Sequence, residues 1–139
     1  MGRILAIDYG KKRVGLAATD ELQIIASAIG TVPTNEIWIF LKEYLAKEIV
    51  EGFVIGLPKN LDNSDTDATQ PAKSFVYKLS EIYPNIPIHW IDERFTSKMA
   101  KDAMVRGGMK KKNRRVKANV DMISATIILQ SFMESRENF

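Results

Sequence analysis

An α/β fold, with a mixed five-stranded sheet flanked by helices, is the architecture this sequence predicts. Three observations carry it. Residues 3–32 hold three short apolar runs separated only by brief turns, which favours an antiparallel meander. From residue 34 onward, stretches with helical spacing alternate with short apolar runs, the order that builds parallel strands through helical crossovers. The chain has 139 residues and no internal repeat or low-complexity linker, which suits one domain spanning residues 1–139.

Residues 3–8 (RILAID) read as the first strand, and Tyr9 to Lys12 as a turn. Residues 13–19 and 24–32 are the second and third strands. Thr34, after Pro33, is the expected N-cap of the first helix, with Glu36 in its first turn. Ile37, Leu41, Tyr44, Leu45 and Glu48 follow at helical spacing, and Gly52 is the expected stop. Residues 53–56 (FVIG) suit a strand buried on both faces, and 57–70 a polar loop. Pro71 fits the first turn of a second helix, ended by Pro84, whose inward face is Phe75, Val76, Leu79 and Ile82. Ile86 to Ile91 is the fifth strand. Thr96 caps a short third helix that stops at Gly107-Gly108, residues 109–117 form a basic loop, and 119–134 are the last helix.

Composition narrows the chemistry. There is no Cys, which excludes disulfides, a thiolate nucleophile and Cys-ligated zinc or iron–sulfur. The single His, His89, cannot build a His-rich zinc site, and any Ser-His-Asp catalysis would have to run through it. Its place inside the fifth strand suits a hydrogen-bonded structural histidine. Trp38, Phe40 and Tyr44, at helical spacing, read as packing rather than as a base-stacking platform. What remains is carboxylate chemistry. No apolar run approaches the ~20 residues of a membrane span and no leader-like segment opens the chain, so a cytoplasmic protein with no membrane partner is expected.

Ligand sites in such sheets cluster at the carboxyl ends of the parallel strands. Asp8 ends the first strand on the face of Ile4 and Ala6. Asp92-Glu93 ends the fifth, and strand parity does not choose between them. Asp121, expected in the first turn of the last helix, is in line with Ser124, Ala125, Ile128 and Phe132. Carboxylates gathered at one sheet end repel unless a cation intervenes. Mg²⁺ suits them, since it favours oxygen ligands and takes one or two carboxylates plus substrate phosphate. A pair of such ions roughly 4 Å apart serves phosphodiester cleavage. Asp62, Asp65 and Asp67 resemble a calcium-loop fragment but lack the glycine and terminal glutamate of an EF-hand.

The net charge of +3 conceals an asymmetry. Residues 98–119 carry nine basic residues and one acid, a segment of +8. Lys110, Lys111, Lys112, Arg114, Arg115 and Lys117 are the expected contacts to a phosphate backbone, with Lys12, Arg13 and Arg94 nearer the acids. Gly10 is expected to leave room for the approaching backbone.

IDYGKKRVGLAATD at 7–20 resembles the D-x-G-x-K-R-x-G-x-A-x-[ST]-D signature of the YqgF/RuvX family. VIGLP at 54–58, DERFTS at 92–97 and VDMISATIILQSF at 120–132 follow in the family's order, so the resemblance covers nearly the whole chain. It implies a ribonuclease-H-like fold related to RuvC Holliday-junction resolvases and metal-dependent phosphodiester hydrolysis, with two Mg²⁺ or Mn²⁺ ions. The family's acids fall on Asp8, Glu93 and Asp121, and the choice of Glu93 comes from the resemblance. The implied role is maturation of the 5′ end of pre-16S ribosomal RNA. Holliday-junction resolution, or non-catalytic RNA binding in ribosome assembly, is the alternative. RNA or branched DNA is the implied partner, engaged by a monomer or a homodimer. The sequence departs from the family at Asn63-Ser64, where Gly-Ser is usual, and at Phe95 and Ser97, where Leu and Thr are usual. Asp-x-Gly also opens the phosphate loops of sugar-kinase and actin-like ATPases, but those need two lobes and this length allows one.

Overall fold

The computed structural model describes residues 2–60, 62–93 and 117–137, with side chains of the last helix described over 123–136. Strands β1 (Arg3–Tyr9), β2 (Arg13–Thr19) and β3 (Ala26–Pro33) form the antiparallel meander. A 3₁₀ turn (Thr34–Glu36) and helix α1 (Ile37–Lys47) lead to β4 (Val50–Leu57), and helix α2 (Thr69–Ile82) leads to β5 (Ile88–Asp92). Helix α3 (Lys117–Glu137) follows. The sheet order is β3-β2-β1-β4-β5, with β4 parallel to both β1 and β5. The mixed five-stranded sheet thus stands as the alternation of motifs predicts. The expected helix from Thr96 to Gly107-Gly108 lies outside the described residues.

Strand alternation sorts side chains into two cores. Leu5, Ile7, Val14, Leu16, Phe53 and Ile55 point to one face and bury against Ile37 and Leu41 of α1 and Phe75 and Leu79 of α2. Ile4, Ala6, Ala17 and Val54 point to the other and bury against Ala125, Ile128, Leu129 and Phe132 of α3. Residues 53–55 are fully buried, as a strand covered on both faces must be. The α3 side is lined by smaller residues, so this helix approaches the sheet closely.

Several local expectations change. The Thr34 hydroxyl makes no cap bond and Pro33 precedes the 3₁₀ turn, while α1 starts only at Ile37. The cause is a longer-range partner, since Thr34 Oγ1 donates to the carbonyl of Gly10 at 2.6 Å. Helix α1 ends at Lys47, before Gly52, which lies inside β4. Glu48 is its C-cap, and its carboxylate accepts from Arg3 Nε at 3.0 Å rather than joining the apolar face. On α2, Thr69 and Ala72 are buried with Phe75 and Leu79, whereas Ile82 is exposed. The fifth strand begins at Ile88, two residues later than expected. His89 is exposed, and its contact is aromatic, ring to ring with Phe132 at 4.8 Å. Trp38, Phe40 and Tyr44 do pack, Trp38 on Phe75 and Phe40 on Tyr44.

Candidate active site

The carboxyl ends of β1, β4 and β5 border a cleft of ≈ 440 Å³. It is lined by Asp8 and Tyr9, the hairpin residues Gly10 to Arg13, Pro58, Asp67 and Ala68, and Glu93. Asp8 continues the side of β1 that carries Ile4 and Ala6, the α3 side. Glu93 is the first residue past β5, and its N–H donates to the Leu57 carbonyl at 3.0 Å, which carries the strand pairing one step further. In β5, His89 and Ile91 face α3, so the next residue on that side is Glu93. Asp92 pairs opposite Leu57, is exposed, and is absent from the cleft lining. Of the two acids that sequence parity left open, Glu93 is the one that shares a cleft with Asp8.

Gly56 explains how the Glu93 side chain finds room. Ile7 pairs with Ile55, so Gly56 follows at the level of Asp8. A Cβ on Gly56 would lie 2.6 Å from both Cγ and Cδ of Glu93 and 2.7 Å from Cδ1 of Ile128. The carboxylate arm therefore lies across the missing side chain, between β4 and α3. The sequence shows Gly56 as a strand-end residue, and nothing local in VIGLP identifies it as a seat for an acid 37 residues further on.

Asp121 is the fifth residue of α3, which begins at Lys117, so it stands in the second turn rather than the first. That removes the simplest helix-dipole explanation for an acid there. Its side chain lies outside the described residues. The rest of the stripe expected from the sequence is observed: Ser124, Ala125, Ile128 and Phe132 are all buried. Arg94, Lys110, Lys111, Lys112, Arg114 and Arg115 also lie outside the described residues, as does the side chain of Lys117.

The β1–β2 hairpin brings cations to the cleft. Lys11 and Lys12 are exposed and Arg13 is half-buried at the start of β2. Lys11 was missed by the sequence reading, although it adjoins Lys12 in the same run. Gly10 lines the cleft and also has a reason within the hairpin itself. An added Cβ would meet the Arg13 carbonyl oxygen at 2.6 Å, so the glycine is required to close the hairpin.

Opposite the hairpin, the segment between β4 and α2 is tied down by its own polar groups. Buried Thr69 donates to the Pro58 carbonyl at 2.6 Å and accepts from the Thr66 N–H at 2.8 Å. Lys59 pairs with Asp65, and Ser64 N–H donates to Asp62 Oδ1 at 2.9 Å. Hydrogen bonds from Ser64 hold the Asp62 carboxyl below its ordinary range, and Lys59 does the same for Asp65. Two of the three aspartates that resemble a calcium loop are thus engaged locally, while Asp67 lines the cleft. A lowered pKa means that these bonds persist above the ordinary carboxylate range and are lost only as pH falls through the lower folded value. The Ser64 amide shift in an NMR titration should therefore move with a midpoint below ~3.9. A midpoint at or above that value would show the turn to be absent in solution.

Among the described residues no group of three or more His, Cys, Asp or Glu is placed to hold a metal ion. Asp8 and Glu93 offer two carboxylates, an all-oxygen donor set without His or Cys, which suits a hard divalent ion that completes its shell with water and phosphate. No helix among the described residues is long and apolar enough to cross a membrane.

Comparison with known proteins bears on the fold and the family. The sequence model of the RuvX family, described as Holliday junction resolvase, matches residues 2–135. A protein of Phocaeicola vulgatus named "Putative pre-16S rRNA nuclease" is 52% identical over 137 residues, covering 99% of each chain. One of the same name from Amoebophilus asiaticus is 51% identical over 135 residues, covering 97% of this chain and 96% of its own. Among solved structures, RuvC of T. thermophilus in complex with Holliday junction substrate superposes with a TM-score of 0.59 at 14% identity, covering 99% of this chain and 96% of that one. The fowlpox virus Holliday junction resolvase gives 0.57 at 14% identity, covering 96% and 99%. At such identities the two structures establish the ribonuclease-H-like fold alone, and it is the near-complete match to the family and to relatives at about half identity that places this chain in the RuvX family, as a nuclease that hydrolyses phosphodiester bonds.

Proposed function

We propose that this nuclease is a divalent-metal-dependent endonuclease that matures the 5′ end of pre-16S ribosomal RNA in the cytoplasm, with residues 1–139 acting as one domain. The observation that carries the site is the meeting of Asp8 and Glu93 in one cleft that also holds Lys11, Lys12 and Arg13. The choice of RNA rests on the full-length relatives named for that substrate.

Asp8 and Glu93, joined by Asp121 from α3, would hold one or two Mg²⁺ or Mn²⁺ ions. Bound there, a divalent ion supplies an activated water and Lewis-acid stabilisation of the phosphodiester. The chain's own residues do the rest. Lys11, Lys12 and Arg13 draw the phosphate backbone to the cleft, and Arg94, Lys110, Lys111, Lys112, Arg114, Arg115 and Lys117 extend that attraction along the strand. Gly10 keeps the hairpin tight enough to present its cations, and Gly56 leaves space for the Glu93 arm.

The family's description favours a second reading, a four-way DNA junction as substrate. Paired cuts on a junction call for a symmetric dimer, whereas trimming an RNA end needs one copy. The deciding experiment incubates the protein with Mg²⁺ on pre-16S RNA spanning the 5′ end and on a four-way junction, with EDTA controls and solution mass on the same sample. Metal-dependent RNA cleavage by a monomer is expected. Junction cleavage by a dimer with intact RNA would replace this reading. Salt-sensitive RNA binding without cleavage of either substrate would make the protein an assembly factor.

A further inference from the structure

We infer that Thr34 is a positioning residue for nucleic-acid binding: its hydroxyl and amide lock the β1–β2 hairpin in the form that holds Lys12 and Lys11 over the cleft. The inference rests on the reading of the cleft as a nucleic-acid site, and adds to it a residue that does not line the cleft itself.

The turn of the hairpin is short, three residues from Gly10 to Lys12 between Tyr9 and Arg13, and exposed at its two lysines. Among the described residues neither lysine makes an ion pair. Among the described residues, two hydrogen bonds reach the turn Gly10 to Lys12 from Thr34. Its Oγ1 donates to the Gly10 carbonyl at 2.6 Å, and its N–H donates to the Lys12 carbonyl at 3.0 Å. They grip the loop on either side of Lys11. Thr34 stands at the junction of β3 and the 3₁₀ turn, an anchored position, because Arg13 pairs with Pro33 in the sheet. A residue type chosen for a helix cap would bond forward to its own helix, and this one bonds back across 24 positions. The hydroxyl's use is therefore in the hairpin. A mobile lysine pays conformational entropy on each phosphate contact, and fixing its backbone beforehand lowers that cost.

The test measures affinity for a structured RNA and for a four-way junction by fluorescence anisotropy in EDTA, so that binding is read without cleavage. The proteins are wild type, Thr34→Val, Thr34→Ser, Lys12→Ala and the Thr34→Val/Lys12→Ala pair. Thr34→Val should raise Kd roughly fivefold, the size of one net hydrogen bond, and flatten the salt dependence. Thr34→Ser should bind as wild type does. In the double variant the two losses should not multiply, because Thr34 acts through Lys12 and its neighbour. Wild-type affinity in Thr34→Val, multiplying losses in the pair, or failure of serine to restore binding would each overturn the inference. Absence of salt-dependent binding by the wild type would instead overturn the reading of the cleft, and this inference with it.

Discussion

Asp8→Asn should slow phosphodiester cleavage by more than about a hundredfold, while nucleic-acid affinity stays at or above the wild-type value. The substitution keeps the shape of the side chain and removes its charge. Losing even a partner that orients a metal ligand costs about 10–100-fold, so losing a proposed ligand should cost more. A hundredfold corresponds to about 2.7 kcal/mol of transition-state stabilisation. Affinity should not fall, because an anion facing a phosphate is removed. The fold should not suffer either, since Asp8 is only half-buried and lies outside both apolar cores. Glu93→Gln should behave alike and Asp92→Asn should not, because only Glu93 lines the cleft. Single-turnover cleavage rates beside anisotropy and thermal melts separate these effects. A wild-type rate in Asp8→Asn would remove it from the chemistry, and a loss confined to Asp92→Asn would reverse the assignment at the end of β5.

Gly56→Ala should cost nearly as much activity with far less chemical change. The new methyl would be 2.6 Å from Cγ and Cδ of Glu93 and 2.7 Å from Cδ1 of Ile128. Something must move, and the flexible end of the Glu93 side chain moves more readily than a fully buried isoleucine on a packed helix. Displacement of a reacting group by about 1 Å can cost about 100-fold in rate, and a loss of that order is expected. Overpacking should also lower stability by about 1–3 kcal/mol. The control is Gly56→Ala combined with Ile128→Val, which removes the Cδ1 clash and leaves the one with Glu93. Stability should recover in part and the rate should not. If the rate recovers as well, the helix and not the carboxylate was the displaced element.

Which parts of this were readable in the sequence follows from how far each residue's partner lies along the chain. Asp8 was legible because period-two alternation is local: Ile4, Ala6 and Asp8 share a side whatever packs there. The strand order followed from loop lengths and crossovers, which are also local quantities. The Asp92–Glu93 choice was not legible, because it depends on which side of β5 meets α3. That is settled by Phe132 against His89 and by Ile91 in the α3 core, contacts across some 40 residues. Thr34 read as a helix cap for the same kind of reason. Its hydroxyl has two possible partners, an N–H of the following helix or the Gly10 carbonyl, and the one it takes lies 24 residues upstream. Gly52 read as a helix stop because a glycine after an amphipathic run is the usual signal, yet here β4 begins at Val50, paired with Arg3 of β1, before the glycine is reached.

The small residues beneath α3 have a consequence for how the site tolerates change. Asp8 and Glu93 belong to the sheet, and the proposed third acid, Asp121, belongs to α3, so on that proposal the spacing of the site depends on the layer between sheet and helix. Ala6, Ala17 and Ala125 make up much of that layer, and they act as a shim. A valine at Ala17 would touch no substrate and alter no charge. On the proposed site it should still lift the helix and slow cleavage, so methyl groups buried well below the cleft would set part of the tolerance of the chemistry.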